Sequence, residues 1–316
     1  MTACASIFTF SEGFNVERQV MTAEDGAPTA SIIKAFFEPS SNTISYVVTD
    51  PETRHCAVID SVLDYDPAAG EISYQHADEV MAYLDAEELI LEWLIETHVH
   101  ADHLSAAPYI QQKRGGKIGI SAEITTVQHV FGKVFNAGTE FERDGSQFDH
   151  LFTDGETYQI GNMKAMAMLT PGHTPACMAH QIGDAVFVGD TLFMPDGGTA
   201  RADFPGGDAR LSYQSIQRIL ALPDATRIFV CHDYMPGGRE LQWETTVAEQ
   251  KQLNIHLADG VSEDEFVAMR EARDATLNMP RLIMPSIQVN MRAGHMPPAE
   301  DNGEVYIKIP VTGIRS

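Results

Sequence analysis

His98-Val99-His100-Ala101-Asp102-His103 places three imidazoles and a carboxylate within six residues. The stretch follows an apolar run over residues 89–95, so it reads as the loop at the end of a buried strand. Neutral imidazole is the commonest protein ligand for transition metals, and carboxylates suit harder divalent ions. The chain holds 12 His in 316 residues, so their bunching here reads as half of a metal site.

Outward from this loop the pattern is mixed. Residues 44–48 and 57–60 read as strands joined by the turn Asp50-Pro51-Glu52. Residues 79–88 have helical spacing, and residues 89–97 read as the strand that delivers the hexapeptide. Residues 104–113 read as a helix stopped by Gly115-Gly116, followed by a strand over 117–120 and a helix over 124–135. Four closely spaced strands are predicted at 157–160, 164–169, 177–182 and 185–188. An amphipathic helix over 211–222 precedes a strand over 227–230. Residues 244–256 and 263–277 read as helical, and the chain after Pro280 as irregular. This order implies a mixed sheet assembly with outer helices, not a doubly wound parallel sheet. No Gly-rich phosphate loop stands at a strand–helix junction, which argues against a nucleotide site. Residues 1–30 are weakly patterned and read as an N-terminal arm. Residues 31–316 read as a single domain that ends in a helical and irregular extension.

Composition narrows the function classes. Apolar residues make up 44% of the chain, enough for a full core. A net charge of −24 argues against nucleic acid or an anionic membrane as partner, because both require a cationic face. No basic region followed by an apolar stretch marks the N-terminus, and no run approaches a bilayer span. Cys4, Cys56, Cys177 and Cys231 have no paired spacing, so they read as free thiols in a reducing compartment. A cytoplasmic protein is the expectation.

Three more predicted strands end in ligand-type residues. Thr170-Pro171-Gly172-His173-Thr174 is a tight turn with His173 at its tip, and Gly189-Asp190-Thr191 and Cys231-His232-Asp233-Tyr234 close two others. Taken in order, His98, His100, Asp102, His103, His173, Asp190 and His232 resemble the ligand series of the metallo-β-lactamase superfamily. The resemblance implies an αββα sandwich, an α/β fold of two mixed β-sheets flanked by helices, with a metal site at one edge.

Further segments resemble one branch of that superfamily more closely. Gly189-Asp190-Thr191-Leu192-Phe193, Ala200-Arg201-Ala202-Asp203-Phe204, His232-Asp233-Tyr234 and Val289-Asn290-Met291-Arg292 are similar to the persulfide dioxygenases, also called sulfur dioxygenases. That resemblance implies oxidation of glutathione persulfide by O2 to sulfite and glutathione at one non-haem Fe(II) per chain. It implies His98, His173 and Asp190 as metal ligands, a facial triad. His100, Asp102, His103 and His232 would support them, and Arg201, Tyr234 and Arg292 would hold the substrate. Related enzymes are often dimers, so a homodimer is expected. Two departures touch the choice of thiol donor: Cys231 stands where the family usually has Gly, and Ala293 where it often has Cys. The alternative is a thioester hydrolase of the glyoxalase II kind. There two zinc or iron ions would use His98, His100 and His173 on one side and Asp102, His103 and His232 on the other, with Asp190 bridging.

Overall fold

The computed structural model describes residues 30–313. All but the last residue of the expected N-terminal arm lies outside the described residues. In chain order, the first half runs β1 (Ile32–Glu38), β2 (Thr43–Thr49), β3 (His55–Ile59), β4 (Val62–Asp66), β5 (Glu71–Ser73) and α1 (Gln75–Ala86). Then come β6 (Ile90–Ile95), β7 (Leu104–Ser105), α2 (Ala107–Arg114), β8 (Lys117–Ser121), α3 (Ile124–Val134) and β9 (His150–Phe152). The second half runs β10 (Thr157–Ile160), β11 (Met163–Leu169), β12 (Met178–Ile182), β13 (Ala185–Phe187), α4 (Ala209–Leu220) and β14 (Arg227–Phe229). It ends with β15 (Glu244–Thr246), α5 (Val247–Leu253), α6 (Glu263–Asp274) and α7 (Ile283–Asn290).

Two six-stranded mixed sheets form, ordered β1-β2-β3-β6-β8-β9 and β10-β11-β12-β13-β14-β15. They pack face to face, and the period-two geometry of a strand explains why. In β2, Ile44, Tyr46 and Val48 face the second sheet, while Val47 faces the helical layer. In β3, Ala57 and Ile59 face inward between the sheets, and Cys56 and Val58 meet the helices. Both faces are buried, so these strands carry apolar residues on both faces. Burying each large aliphatic side chain contributes about 1.5–3 kcal/mol. The Tyr46 ring meets Phe187 and Phe229 edge-on, and its hydroxyl donates to the Val230 carbonyl at 2.5 Å. That bond satisfies the buried hydroxyl. Helices α1, α2, α3 and α7 cover the first sheet, and α4 and α6 pack together on the second. Helix α6 begins with a reciprocal capping box between Ser262 and Glu265. The αββα sandwich expected from the resemblance is the fold that forms.

Three sequence expectations change. The helix expected over 244–256 begins as strand β15, which pairs with β14, and only 247–253 is helical. Thr245 and Thr246 are β-branched and suit an edge strand, and Thr246 then caps α5 with Glu249. Leu104 and Ser105 pair with β4 before α2 begins. The segment after Pro280 contains α7, a short helix buried along most of its length, so it lacks the polar face that would mark it in sequence. Pro285 sits in its first turn, where a missing N–H costs nothing. No described helix is long and apolar enough to cross a membrane.

Candidate metal centre

Strands β6, β11, β13 and β14 all end at one edge of the sandwich, and each end delivers a ligand-type residue. Backbone bonds tie the two sheets together there. Ile44 N donates to Cys231 O at 2.7 Å, and Met178 N donates to Thr97 O at 2.9 Å. Gly189 precedes Asp190 with φ +51°, and a Cβ there would lie 2.6 Å from Thr97 Oγ1. Only glycine lets the Asp190 turn approach the hexapeptide this closely.

The seven expected ligands converge. Donor atoms of His98, His173 and Asp190 lie within 4.8 Å of one another, and so do those of His100, Asp102 and His103. Asp190 stands between the two groups. Its Oδ2 is 3.9 Å from His98 Nε2 and 3.5 Å from His173 Nε2, and its Oδ1 is 3.3 Å from His232 Nε2. His232 Nε2 is also 3.2 Å from Asp102 Oδ2. Six of these atoms are buried without a hydrogen bond: His98 Nε2, His100 Nδ1, His103 Nε2, His232 Nε2, Asp102 Oδ2 and Asp190 Oδ1. Buried polar atoms are nearly always hydrogen-bonded. Six orphans facing one another fit a metal cation, which accepts lone pairs from nitrogen and oxygen alike.

Around this set lies a layer that the sequence reading missed. Asp60, at the end of β3, accepts from Thr97 N at 2.8 Å and Thr97 Oγ1 at 2.9 Å, and its Oδ1 meets His100 Nε2 at 3.0 Å. Glu96 Oε2 lies 3.4 Å from the same His100 nitrogen. Asn290 donates to the carbonyls of His100 at 2.9 Å and His103 at 2.8 Å and accepts from Ser105 N at 2.8 Å. His173 Nδ1 bonds the Arg201 carbonyl at 2.7 Å, which points Nε2 toward Asp190. Asp60 and Glu96 carried no motif. The only sequence signal for Asn290 was its place in the Val-Asn-Met-Arg segment.

Electrostatics follow burial and pairing. Burial, reinforced by His100 and His173, holds His98 well below the usual imidazole range, so it stays a neutral lone-pair donor. Burial opposes charging His100 as well, yet the Asp60 carboxylate overcomes it and raises His100 well above that range. Burial alone would raise Asp102, but His232 holds it well below the carboxylate range. Cys56, Cys177 and Cys231 are buried free thiols, and burial pushes Cys56 and Cys177 up to about 12.

A cleft of about 400 Å³ opens over the centre, lined by Asp102, His173, Asp190, Arg201, Tyr234 and Arg281 among others. Arg201 and Tyr234 are thus brought to the site. The Tyr234 ring stacks on His232 at 5.8 Å between centroids. The Arg201 guanidinium is already committed: it forms a two-pronged bond to Asp203 at 2.6 and 2.7 Å and donates to Asn278 O. Arg292 is not brought to this cleft. Its guanidinium lies over the Phe141 ring at 4.3 Å, donates to Gln288 O, and lines a separate cavity. Arg273 and Arg281 are exposed at the cleft, and no ion pair joins either of them among the described residues. Both lie where the sequence showed only a charged helix and an irregular tail.

Comparison with known proteins agrees with this architecture. Residues 41–232 match the metallo-beta-lactamase superfamily model. The chain is 56% identical over 292 residues to a "Probable metallo-hydrolase" of Burkholderia pseudomallei (strain 1710b), covering 89% of this chain and 99% of that one. It is 48% identical to "Glyoxylase B2" of Dictyostelium discoideum, covering 90% and 98%. It is 27% identical to the mitochondrial persulfide dioxygenase ETHE1 of Homo sapiens, covering 90% and 96%. The crystal structure of ETHE1 from Myxococcus xanthus superposes with a TM-score of 0.67 at 28% identity, covering 84% and 100%.

Proposed function

This chain belongs to the metallo-beta-lactamase superfamily, and from that premise we propose that it is a persulfide dioxygenase holding one ferrous ion between His98, His173 and Asp190. The observation that carries the reading is the grouping of donors. The three residues form a two-imidazole, one-carboxylate set, and His100 belongs to the neighbouring groups instead. A first ion in a two-metal hydrolase needs His100 as its third imidazole. Here the donor atom of His100 groups with those of Asp102 and His103, or of Cys231 and His232, and not with those of His98 and His173. Two imidazoles and one carboxylate with open positions match a non-haem iron oxygenase. When bound, the ion supplies the open positions and redox chemistry that O2 requires.

The protein's own groups bind and orient the substrate. Glutathione persulfide carries two carboxylates, and a chain of charge −24 must meet them with local cations. Arg273 and Arg281 are exposed at the cleft and, among the described residues, without an ion pair, whereas Arg201 is neutralised by Asp203 and shapes the wall. Phe193 and Tyr234, at 5.7 Å between ring centroids, form an apolar flank for the sulfur end. Overall, the persulfide, one O2 and one water give the thiol, bisulfite and a proton.

A second reading, a two-metal thioester hydrolase of the glyoxalase II kind, has support of its own. The relatives of higher identity carry hydrolase and glyoxylase names, and on those names the comparisons favour this reading over the dioxygenase. Asp190, with one oxygen toward each half of the site, suits a bridging role. The deciding experiment pairs elemental analysis with two assays, oxygen uptake on glutathione persulfide and hydrolysis of S-lactoylglutathione. One iron per chain with oxygen uptake and sulfite release is the expected result. Two tightly held ions per chain with thioester hydrolysis and no oxygen uptake would replace the first reading with the second.

A further inference from the structure

A separate cavity of about 260 Å³ lies beside the C-terminal end of α7 and shares no lining residue with the cleft over the metal centre. Two reciprocal bonds build it. Gln288 Nε2 donates to Lys308 O at 2.9 Å, and Lys308 N donates to Gln288 Oε1 at 3.0 Å, so the chain after α7 is tied back to the helix. Arg292 is the buried charge of this cavity, 9% exposed. Its Nη1 donates to Gln288 O at 2.7 Å, and the Phe141 ring lies against the guanidinium at 4.3 Å. Among the described residues Nε and Nη2 have no hydrogen-bond partner, and no carboxylate pairs with the group. A buried charge is normally paired. A guanidinium edge with free N–H groups matches the two oxygens of a carboxylate. The rest of the lining carries both signs. Lys308, Glu140 and Glu300 are exposed there, and none forms an ion pair among the described residues. The Tyr306 hydroxyl accepts from Asn302 Nδ2 at 2.6 Å, which leaves its own proton to donate.

We propose that this cavity binds a free α-amino acid, its carboxylate on the Nε and Nη2 edge of Arg292 and its ammonium on the Glu140 and Glu300 carboxylates. Two cations and two acids line the space, and the most buried of the four is a cation. A bare anion would satisfy Arg292 but face the two carboxylates, and a bare amine would leave Arg292 unpaired. A zwitterion meets both signs. The volume lies below the range of about 300–1,000 Å³ typical of sites for drug-sized ligands, which suits one amino acid better than a peptide. The inference is independent of which ion or substrate the strand-end centre takes. Asn290, which grips the ligand loop, stands two residues before Arg292 at the same helix end, so an occupant here bears on that clamp.

The test is equilibrium dialysis of the full chain against three labelled probes: L-alanine, propionate, which lacks the ammonium, and ethylamine, which lacks the carboxylate. We expect saturable binding of one L-alanine per chain, propionate weaker by about tenfold, as for the loss of one charged contact, and no binding of ethylamine. Arg292→Gln should abolish L-alanine binding. The double variant Glu140→Gln, Glu300→Gln should weaken L-alanine binding about tenfold without weakening propionate binding. No saturable binding of L-alanine, binding that survives Arg292→Gln, or propionate bound as tightly as L-alanine overturns the proposal. If Arg292→Gln does not fold, the double variant decides, because both of its sites are exposed; L-alanine binding that it leaves unchanged sinks the assignment.

Discussion

Replacing Asn290 with alanine should loosen the ligand loop from a position outside the ligand set. The side chain is 4% exposed and makes three hydrogen bonds, all to the backbone of residues 100–105. Truncation leaves the Ser105 N–H and the carbonyls of His100 and His103 without their partners, in residues no more than 2% exposed. Each buried group left unpaired costs about 1–3 kcal/mol. A water entering the new space recovers part of this, so the lower end applies, about 3 kcal/mol in total. That is a factor of about 100 in the folding equilibrium. Urea unfolding of the metal-free protein measures it directly, and thermal unfolding should show a fall of roughly 6–12 °C. The loop carries four of the expected ligands, so metal affinity should fall with stability. An alanine variant within about 0.5 kcal/mol of wild type, or one that loses stability with unchanged metal affinity, would refute the idea that Asn290 clamps the loop.

Other perturbations test separate parts of the reading. Arg281→Ala and Arg273→Ala should each raise KM for a glutathione conjugate by roughly tenfold, about one charged contact, with kcat and metal content unchanged; an unaltered KM in both removes them from the substrate site. Arg292→Ala should leave KM alone, because its guanidinium lies against Phe141 in another cavity, and a raised KM would contradict that placement. Gly189→Ala should abolish metal binding in titrations, because a Cβ at φ +51° meets Thr97 Oγ1 at 2.6 Å; wild-type binding would show that the turn relaxes freely. The pH dependence has a definite sign. Asp60 raises His100 well above the usual imidazole range, so its stabilising contribution is full below the ordinary imidazole value and fades as pH rises through the folded-state pKa. The stability gap between metal-free wild type and His100→Asn should therefore shrink as pH rises above the ordinary imidazole range. A gap that widens over this range would reverse the assignment.

Much of the scaffold was legible because its signals are local. Residues 44–48 and 57–60 alternate apolar positions on both faces, and the four strands from 157 to 188 are separated by short turns. Where the local pattern was ambiguous the reading slipped. Residues 244–246 belong to a helix by continuity with α5, but the exposed edge of β14 recruits them into the sheet. Helix α7 is buried along most of its length and lacks the polar face that betrays a surface helix.

The site divides in the same way. The order of His98, His100, Asp102, His103, His173, Asp190 and His232 along the chain resembles the metallo-β-lactamase ligand series, and that resemblance implied a metal-binding edge on an αββα sandwich. Nothing in that order says which nitrogen of His100 turns inward. Asp60, forty residues upstream, takes Nε2 and leaves Nδ1 for the site. Nor does it say that Asp203 neutralises Arg201 while Arg273 and Arg281 line the cleft without an ion pair among the described residues, or that Arg292 lies elsewhere. Those outcomes depend on distances between segments far apart in sequence. Coulomb and hydrogen-bond energies fall off over a few ångströms, so only the folded chain decides them.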